Sequence, residues 1–434
     1  MPHPQQRNED DVSHRTGYGD HAVLPVAPRR RQTPWRLAAI VAFCVLSLHA
    51  VGCEKLLTTK PDPGERFDAP LPGLDNGELG DFQDGHVQFR KAFSIADGLG
   101  PVFNNVSCAS CHSGDGRGLP ENTLTRISRD AVDLAVDLGG PQIQDKCIPG
   151  AEPERLPGGV LVSYRMPPPV FGVGLIEAIT DSSILVHEDP GDTDADGISG
   201  RANMVTPAPY VPATEPGGGP GPRVGRFGRK ASVSSLLQQT VEAYHQDIGM
   251  TSSYRPVENV NPVASHPAVD PARDPELSDA EIENVMQYMR MLAPPAPGLP
   301  TPSRDRGQAL FTSAQCVKCH IPTLHTGPHD IETLANRDVA LYSDLLLHDL
   351  GDVLADNRPD GSADGKEWRT APLWGLRIAR EFLGGQLFLL HDGRAHTVDQ
   401  AVRYHGGEAT AARDAYLAMP ASDQAALVDF VESR

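Results

Sequence analysis

Two five-residue strings carry the most specific chemistry in this chain: Cys108-Ala109-Ser110-Cys111-His112 and Cys316-Val317-Lys318-Cys319-His320. Both read Cys-x-x-Cys-His, the attachment signature of c-type haem. Two thiols three positions apart can each form a thioether to a vinyl group on one haem edge, and the adjoining His reaches the iron from the proximal face. Two other chemistries use paired cysteines. A zinc ribbon needs four ligands per site, and no second Cys-x-x-Cys stands at ribbon spacing from either motif. A thioredoxin-like pair needs a βαβ setting that the surrounding sequence does not supply. Cys108, Cys111, Cys316 and Cys319 are therefore read as the anchors of two covalently bound haems c, with His112 and His320 as iron ligands.

Haem c is attached outside the bacterial cytoplasm, so this reading requires export. The N-terminal sequence agrees. Residues 1–36 are polar and rich in Arg and Pro, and Arg29, Arg30, Arg31 and Arg36 precede an apolar run from Leu37 to Gly52. The run is short for a bilayer span and fits a signal-peptide core. It ends in Ala50-Val51-Gly52-Cys53, similar to a lipoprotein signal whose Cys is lipidated, although Leu is usual where Ala50 stands. The expectation is a periplasmic protein anchored through Cys53; an ordinary cleaved signal or a retained anchor is the alternative. Of the 7 Cys, Cys44 lies in this signal and Cys147 is left over as a free thiol.

The elements that must position the motifs are short. Among 434 residues stand 42 Gly and 40 Pro, with a formal net charge of -19. The acidity disfavours nucleic acid as a partner and suits a solvated surface or the steering of a basic redox protein. Before the second motif, Gly307, Leu310 and Phe311 in RGQALFTSAQCVKCH predict a helix ending at the haem. Ala426, Leu427, Phe430 and Val431 share one face of a closing helix. ASVSSLLQQTVEAYHQDIG predicts another helix, stopped by Gly249. Ser278 and Glu281 form a capping box for EIENVMQYMRML, which Pro294 and Pro295 terminate. No strand-rich region emerges. The expected fold is mainly α, with two cytochrome c-like haem domains and long loops. Its divisions are an extension and signal over 1–53, a linker over 54–80, an N-terminal haem domain over 81–298 and a C-terminal cytochrome c domain over 299–434.

Asp192, Asp194 and Asp196 alternate before Gly197 in GDTDADGISGRAN, the front half of an EF-hand-like calcium loop. Asn203 stands where the bidentate Glu of such a loop would be. Calcium is one reading, and an Asp-rich turn that organises the Arg201 region is the other.

The strings GLGPVFNNVSCASCH, RMPPPVFGVGLIEAI, DADGISGRAN, GRFGRKA, YSDLLLHDLG, EWRTAPLWGL, LLHDGRA and YHGGEA together resemble the bacterial di-haem oxidoreductase family, also labelled peroxidases or thiol oxidoreductases and related to di-haem cytochrome c peroxidases. The resemblance covers about residues 80–434. It implies two all-α haem domains facing each other, often with Ca²⁺ near their interface, one haem reacting with peroxide and the other passing electrons. It also implies a small electron-donor protein or a quinol-linked cytochrome as partner, and peroxide or another small oxidant as substrate. In the related peroxidases a Met follows a His-Asp-Gly turn by fourteen residues and ligates the electron-transfer haem; here that count from His391 reaches His405. Bis-His ligation is then expected at the second haem, with a structural His405 as the alternative. His391 would fix the turn or meet a propionate, His348 is a weaker ligand candidate, and His396 and His325 read as exposed.

No equally placed His or Met follows the first motif. The PPPVFGVGLIEAI segment resembles the distal pocket of the peroxidases, which makes Glu177 the candidate acid–base carboxylate; a surface carboxylate on a short helix is the other reading. Met166 is a distal-ligand candidate, or plain packing. The family pattern has an aromatic at the position of Arg229, so Trp374 or Trp368 would take over any role of that aromatic between the haems, unless both are core.

Overall fold

The computed structural model describes residues 63–434 except Asp115 and Pro267. The apolar run, Cys44 and Cys53 lie outside the described residues. No described helix is long and apolar enough to cross a membrane.

Eleven α-helices occur among the described residues. They are α1 (Asn76–Arg90), α2 (Cys108–Cys111), α3 (Val173–Ala178), α4 (Asp181–Leu185), α5 (Leu236–Ala243), α6 (Asp279–Met291), α7 (Pro302–Ser313), α8 (Leu376–Phe382), α9 (Val398–Tyr404), α10 (Thr410–Leu417) and α11 (Ala421–Glu432). Between them run six two-stranded antiparallel ladders, of which the longest pairs Leu124–Ser128 with Leu161–Arg165. The described residues are 33% helix and 12% strand, which corrects the mainly-α expectation. Gly and Pro punctuate the helices, and most strands are two or three residues long. Such strands show no period-2 alternation, so they cannot be seen as a pattern.

The helix ends follow their local chemistry. Asp75 caps α1 reciprocally: Glu78 N donates to its Oδ1 at 2.8 Å while Asp75 N donates to Glu78 Oε2 at 2.8 Å. Ser278 and Glu281 do the same for α6. α5 starts at Leu236 and widens into a π turn over Tyr244–Ile248 before Gly249 stops it at φ 80°.

Two helix crossings hold the motifs in place. α1 crosses α6 at Gly85, where an added Cβ would lie 2.0 Å from the Asn284 carbonyl oxygen. α7 crosses α11 at Gly307, where the corresponding distance to Ala426 O is 2.1 Å. Only glycine allows backbones this close. Four residues on from each glycine stands a Phe. Phe89 packs against Tyr288 at 5.1 Å between ring centroids and Phe311 against Phe430 at 5.5 Å. Each Phe also meets the His of its motif, Phe89 to His112 at 6.3 Å and Phe311 to His320 at 6.1 Å. The same Gly-x-x-x-Phe device therefore sets a ring against the imidazole in both halves. The boundary expected at residue 81 falls inside α1. Phe67, Ala69 and Leu71 of the expected linker are buried, and Leu71 N donates to Met291 O at 2.8 Å. One apolar core runs from Phe67 to Val431.

Candidate functional site

At the second motif, a one-turn 3-10 helix over Cys316–Lys318 brings His320 N to Cys316 O at 2.9 Å. The His320 ring then donates Nδ1–H to the Tyr342 carbonyl at 2.9 Å. An acceptor on Nδ1 fixes the tautomer and leaves Nε2 with its lone pair, the state a metal ligand needs. Across the same cavity stands His405, just past the end of α9. The last carbonyls of a helix lack intrahelical donors, and His405 Nδ1 donates to one of them, Ala401 O, at 2.7 Å. Its Nε2 is therefore also unprotonated. Burial holds both imidazoles neutral, His320 pushed down to about 4 and His405 lowered. Two neutral imidazoles with back-bonded Nδ1 atoms line one cavity, together with Cys316 and Cys319.

Three guanidinium groups line that cavity too. Arg117, Arg229 and Arg369 donate to the carbonyls of Phe388, Met166 and Gly228, at 3.2, 2.8 and 3.1 Å. None of the three forms an ion pair among the described residues. Arg117 Nε and Arg369 Nη1 are buried with no acceptor at all. Desolvation pushes their pKa values down, to about 10 for Arg117, about 9 for Arg229 and about 10 for Arg369. Buried cations without counter-ions are costly, and an anionic guest would remove that cost. A haem would fit on both counts, with two imidazoles available to its iron and three arginines to its propionates.

At the first motif, Ser107 caps α2 through Ser110 N at 3.1 Å. His112 then pairs with Gly118 in a short hairpin. Its ring is pushed down to about 4 by burial, opposed by the Pro168 carbonyl, although Nδ1 makes no hydrogen bond. Both pairs of thiols are unbridged. Burial pushes the Cys108 thiol up to about 12 and those of Cys111 and Cys316 to about 11. Protonated buried thiols are poor nucleophiles, which argues against a thiolate redox pair at Cys108 and Cys111.

Several expected site residues sit elsewhere. Glu177 lies on α3 with its side chain fully buried and makes a two-pronged ion pair with Arg290, at 2.7 and 3.3 Å. Arg290 also holds Glu215 at 2.7 Å. Glu177 is absent from the cavity lining. The Pro168 carbonyl acts on the His112 ring, and Met166, Pro167 and Pro169 line the second motif's cavity. The PPP segment thus stands behind the first ligand rather than in front of it, and Met166 is no distal ligand there.

His348 is spoken for on both nitrogens, Nε2 by Asp344 at 2.8 Å and Nδ1 by Glu408 at 2.7 Å, which removes it as an iron ligand. Those carboxylates hold its pKa well above the usual imidazole value against the opposing desolvation. A raised value stabilises the fold fully below the ordinary imidazole pKa and loses that contribution as pH rises through the raised one. The melting-temperature gap between the native chain and His348→Gln is therefore expected to be widest in acid and to narrow in alkali. A gap independent of pH would show that His348 is not protonated.

The calcium loop also differs from expectation. Asp196 is bound by Lys318, and Asn203 is fully buried, donating to the Lys230 and Asp360 carbonyls at 2.8 and 3.1 Å. The carboxylates that cluster are Asp189, Asp192 and Asp194. Arg201 pairs with Glu367 at 2.5 Å.

Both tryptophans line the cavity. Trp368 stacks on His391, with centroids 3.8 Å apart and planes 8° from parallel, and lies under Lys230 Nζ at 4.5 Å. His391 is buried, its pKa pushed down to about 4 by desolvation. His325 is exposed and bonded to Asp338 at 3.0 Å, His396 bonds Gln386 at 2.8 Å, and Cys147 donates to Ala151 O at 3.2 Å. The arginines were missed because three residues spread from 117 to 369 leave no local signal. The Gly85–Phe89 spacing, which repeats Gly307–Phe311, was readable and overlooked.

Comparisons with known proteins bear on these features. A solved structure of Kuenenia stuttgartiensis hydrazine synthase under xenon pressure aligns over 87% of this chain and 92% of its own, at 15% identity and a TM-score of 0.36. No curated protein matches. A family scan matches residues 46–139 and 152–434 to the family described as "Di-haem oxidoreductase, putative peroxidase". That match takes in both Cys-x-x-Cys-His motifs, His405 and the buried arginines, and the chain belongs to this di-haem oxidoreductase family.

Proposed function

We propose that the chain is an exported c-type di-haem oxidoreductase of peroxidase type, in which electrons enter at the second motif and are spent on peroxide at the first. The observation that carries this division is the pair His320 and His405, each with Nδ1 on a carbonyl and Nε2 free, lining one cavity. When bound, the two haems c would supply one-electron storage at the second motif and, at the first, reduction of hydrogen peroxide by two electrons and two protons to two waters. Cys316 and Cys319 would hold the group at the second motif by thioethers, with His320 and His405 as ligands to its iron, a pairing that would favour electron transfer over reaction. Cys108, Cys111 and His112 would hold the other. Beside it stand the buried Tyr244 Oη and Gln88 Nε2, each of which acts on the other. They replace Glu177 as the groups that would meet a small oxidant.

Arg117, Arg229 and Arg369 would neutralise propionates and fix the angle of the ring. Between the tryptophans, Trp374 is the better conductor. Lys230 over the face of Trp368 makes loss of an electron there less favourable, because a ring that attracts a cation resists becoming one. Export to the periplasm, anchorage through Cys53 and a small redox protein or quinol-linked cytochrome as donor complete the reading. They are supported by the N-terminal sequence and by the need for haem c attachment.

The test is peroxide titration of the purified, haem-loaded chain after reduction at the second haem. The expected result is consumption of peroxide with oxidation of the donor, and ferric low-spin features from one haem that peroxide leaves untouched. Two low-spin haems with no reaction towards peroxide would make the protein an electron shuttle instead.

A further inference from the structure

A cluster of carboxylates lies in the loop between α5 and α6, away from both haem motifs in sequence. Glu258, Asp270 and Glu276 each bring an oxygen within 4.8 Å of the other two. Leu277 N donates to Thr251 O at 3.1 Å and closes the base of this loop. Asp270 is only 6% exposed. Its Oδ1 accepts from Ala272 N at 2.6 Å, and its Oδ2 is buried with no donor. Glu258 Oε2 and Glu276 Oε1 are buried without donors as well. The other oxygen of Glu276 is fixed by Thr251 N at 2.7 Å and Thr251 Oγ1 at 2.6 Å, and the same hydroxyl reaches Asp274 at 3.2 Å. The charged groups acting most strongly on Glu258 are all carboxylates: Asp270, Glu276 and Asp274. Among the described residues no Lys, Arg or His pairs with any of the four.

Buried acceptor oxygens with no donor, converging from three side chains, need either protons or a cation. Shared protons could bridge Glu258 to Asp270 and Glu276 to Asp274, but each pair would keep one negative charge, and no Lys, Arg or His among the described residues offsets either. We propose that Glu258, Asp270 and Glu276 bind a calcium ion. The donors are oxygen only, which selects a hard cation. They come from an irregular loop at uneven spacing, which suits the flexible six- to eight-fold shell of calcium better than the strict octahedron of magnesium. Asp274 or water would complete the shell.

The position of the loop gives the ion a purpose. Asn259 Nδ2 donates to His245 O at 3.4 Å, and His245 Nε2 bonds Val257 O at 3.0 Å, so the loop is tied to the π turn that follows α5. In that turn the Asp247 carbonyl accepts from Asn104 N and Asn105 N, at 2.8 and 2.9 Å, just before the first Cys-x-x-Cys-His. Calcium here would brace the backbone that carries the first motif.

The test uses the full haem-loaded chain, stripped with EDTA and titrated calorimetrically with calcium alone. An Asp192→Asn/Asp194→Asn background keeps the exposed Asp189 loop from contributing. One calcium per chain is expected, with magnesium far weaker and a melting temperature raised by several degrees. Glu258→Gln should abolish binding, yet melt at or above the parent chain in EDTA, because it removes repulsion. That reversal of order distinguishes a lost ligand from a damaged fold. No binding in the parent background, binding unchanged by Glu258→Gln and Asp270→Asn, or a calcium-independent melt that weakens only as pH rises would each overturn the proposal, the last in favour of shared protons.

Discussion

In the haem-loaded protein, His405→Ala is expected to convert the ferric signature of the second haem from low-spin to high-spin while leaving that of the first unchanged. Loss of a ring that lines the cavity with Nε2 free removes one of two strong ligands, and a five-coordinate ferric iron is high-spin. The effect should be complete, because the end of α9 offers no second imidazole: the next His upstream of His405 is His396, which bonds Gln386 and the Leu387 carbonyl. His405→Met is the sharper experiment. It keeps a sixth ligand but exchanges a good donor for a weaker one, so the potential should rise by a fraction of the ~0.8 V over which axial ligands act. Electron delivery to the first haem then loses driving force: kcat for peroxide should fall while KM holds, because the substrate-binding motif is untouched. Low-spin spectra identical to the parent in His405→Ala would show that His405 is only the donor that finishes α9.

How much of this was legible beforehand differs by feature. Cys-x-x-Cys-His is covalent chemistry written in five adjacent residues, so neither motif needed the fold. The capping box at Ser278 and Glu281 and the stop at Gly249 were equally local. The fold class was not. Helical periodicity shows even when other elements interrupt it, whereas a two-residue strand such as Val102–Phe103 pairs with Lys146–Cys147 for reasons of loop closure that no period records. Site chemistry divided along the same line. His405 was found by counting from His391, but its acceptor Ala401 and the Tyr342 carbonyl behind His320 act through backbone atoms, which are the same for every residue type. Arg117, Arg229 and Arg369 meet only in space. The ion pair of Glu177 was not legible because a buried acid free to react and a buried acid held by Arg290 have the same sequence; only the position of Arg290, on α6, separates them.

That separation yields the largest stability effect expected in the molecule. Arg290→Met should cost about 3–5 kcal/mol, the usual penalty for leaving a buried charge unpaired. Arg290 is 7% exposed and is the shared partner of Glu177 and Glu215, so its loss strands the fully buried carboxylate of Glu177 beside a second one. Glu177→Gln should cost less, because Arg290 keeps Glu215 and the amide oxygen can still accept. The double variant Glu177→Gln/Arg290→Met should be more stable than Arg290→Met alone, since removing the stranded charge relieves what the first change caused. Such a coupling, read from denaturant midpoints of the haem-loaded chains, marks a contact pair rather than two independent sites. The same variants decide the catalytic question. If Glu177 serves only to hold α3 against α6, peroxide turnover per folded, haem-loaded molecule will be unchanged in Glu177→Gln. A fall in turnover with an unaltered denaturant midpoint would restore the carboxylate to proton transfer and place the reactive face of the first haem on the side of α3, with Arg290 tuning the acid rather than tying it down.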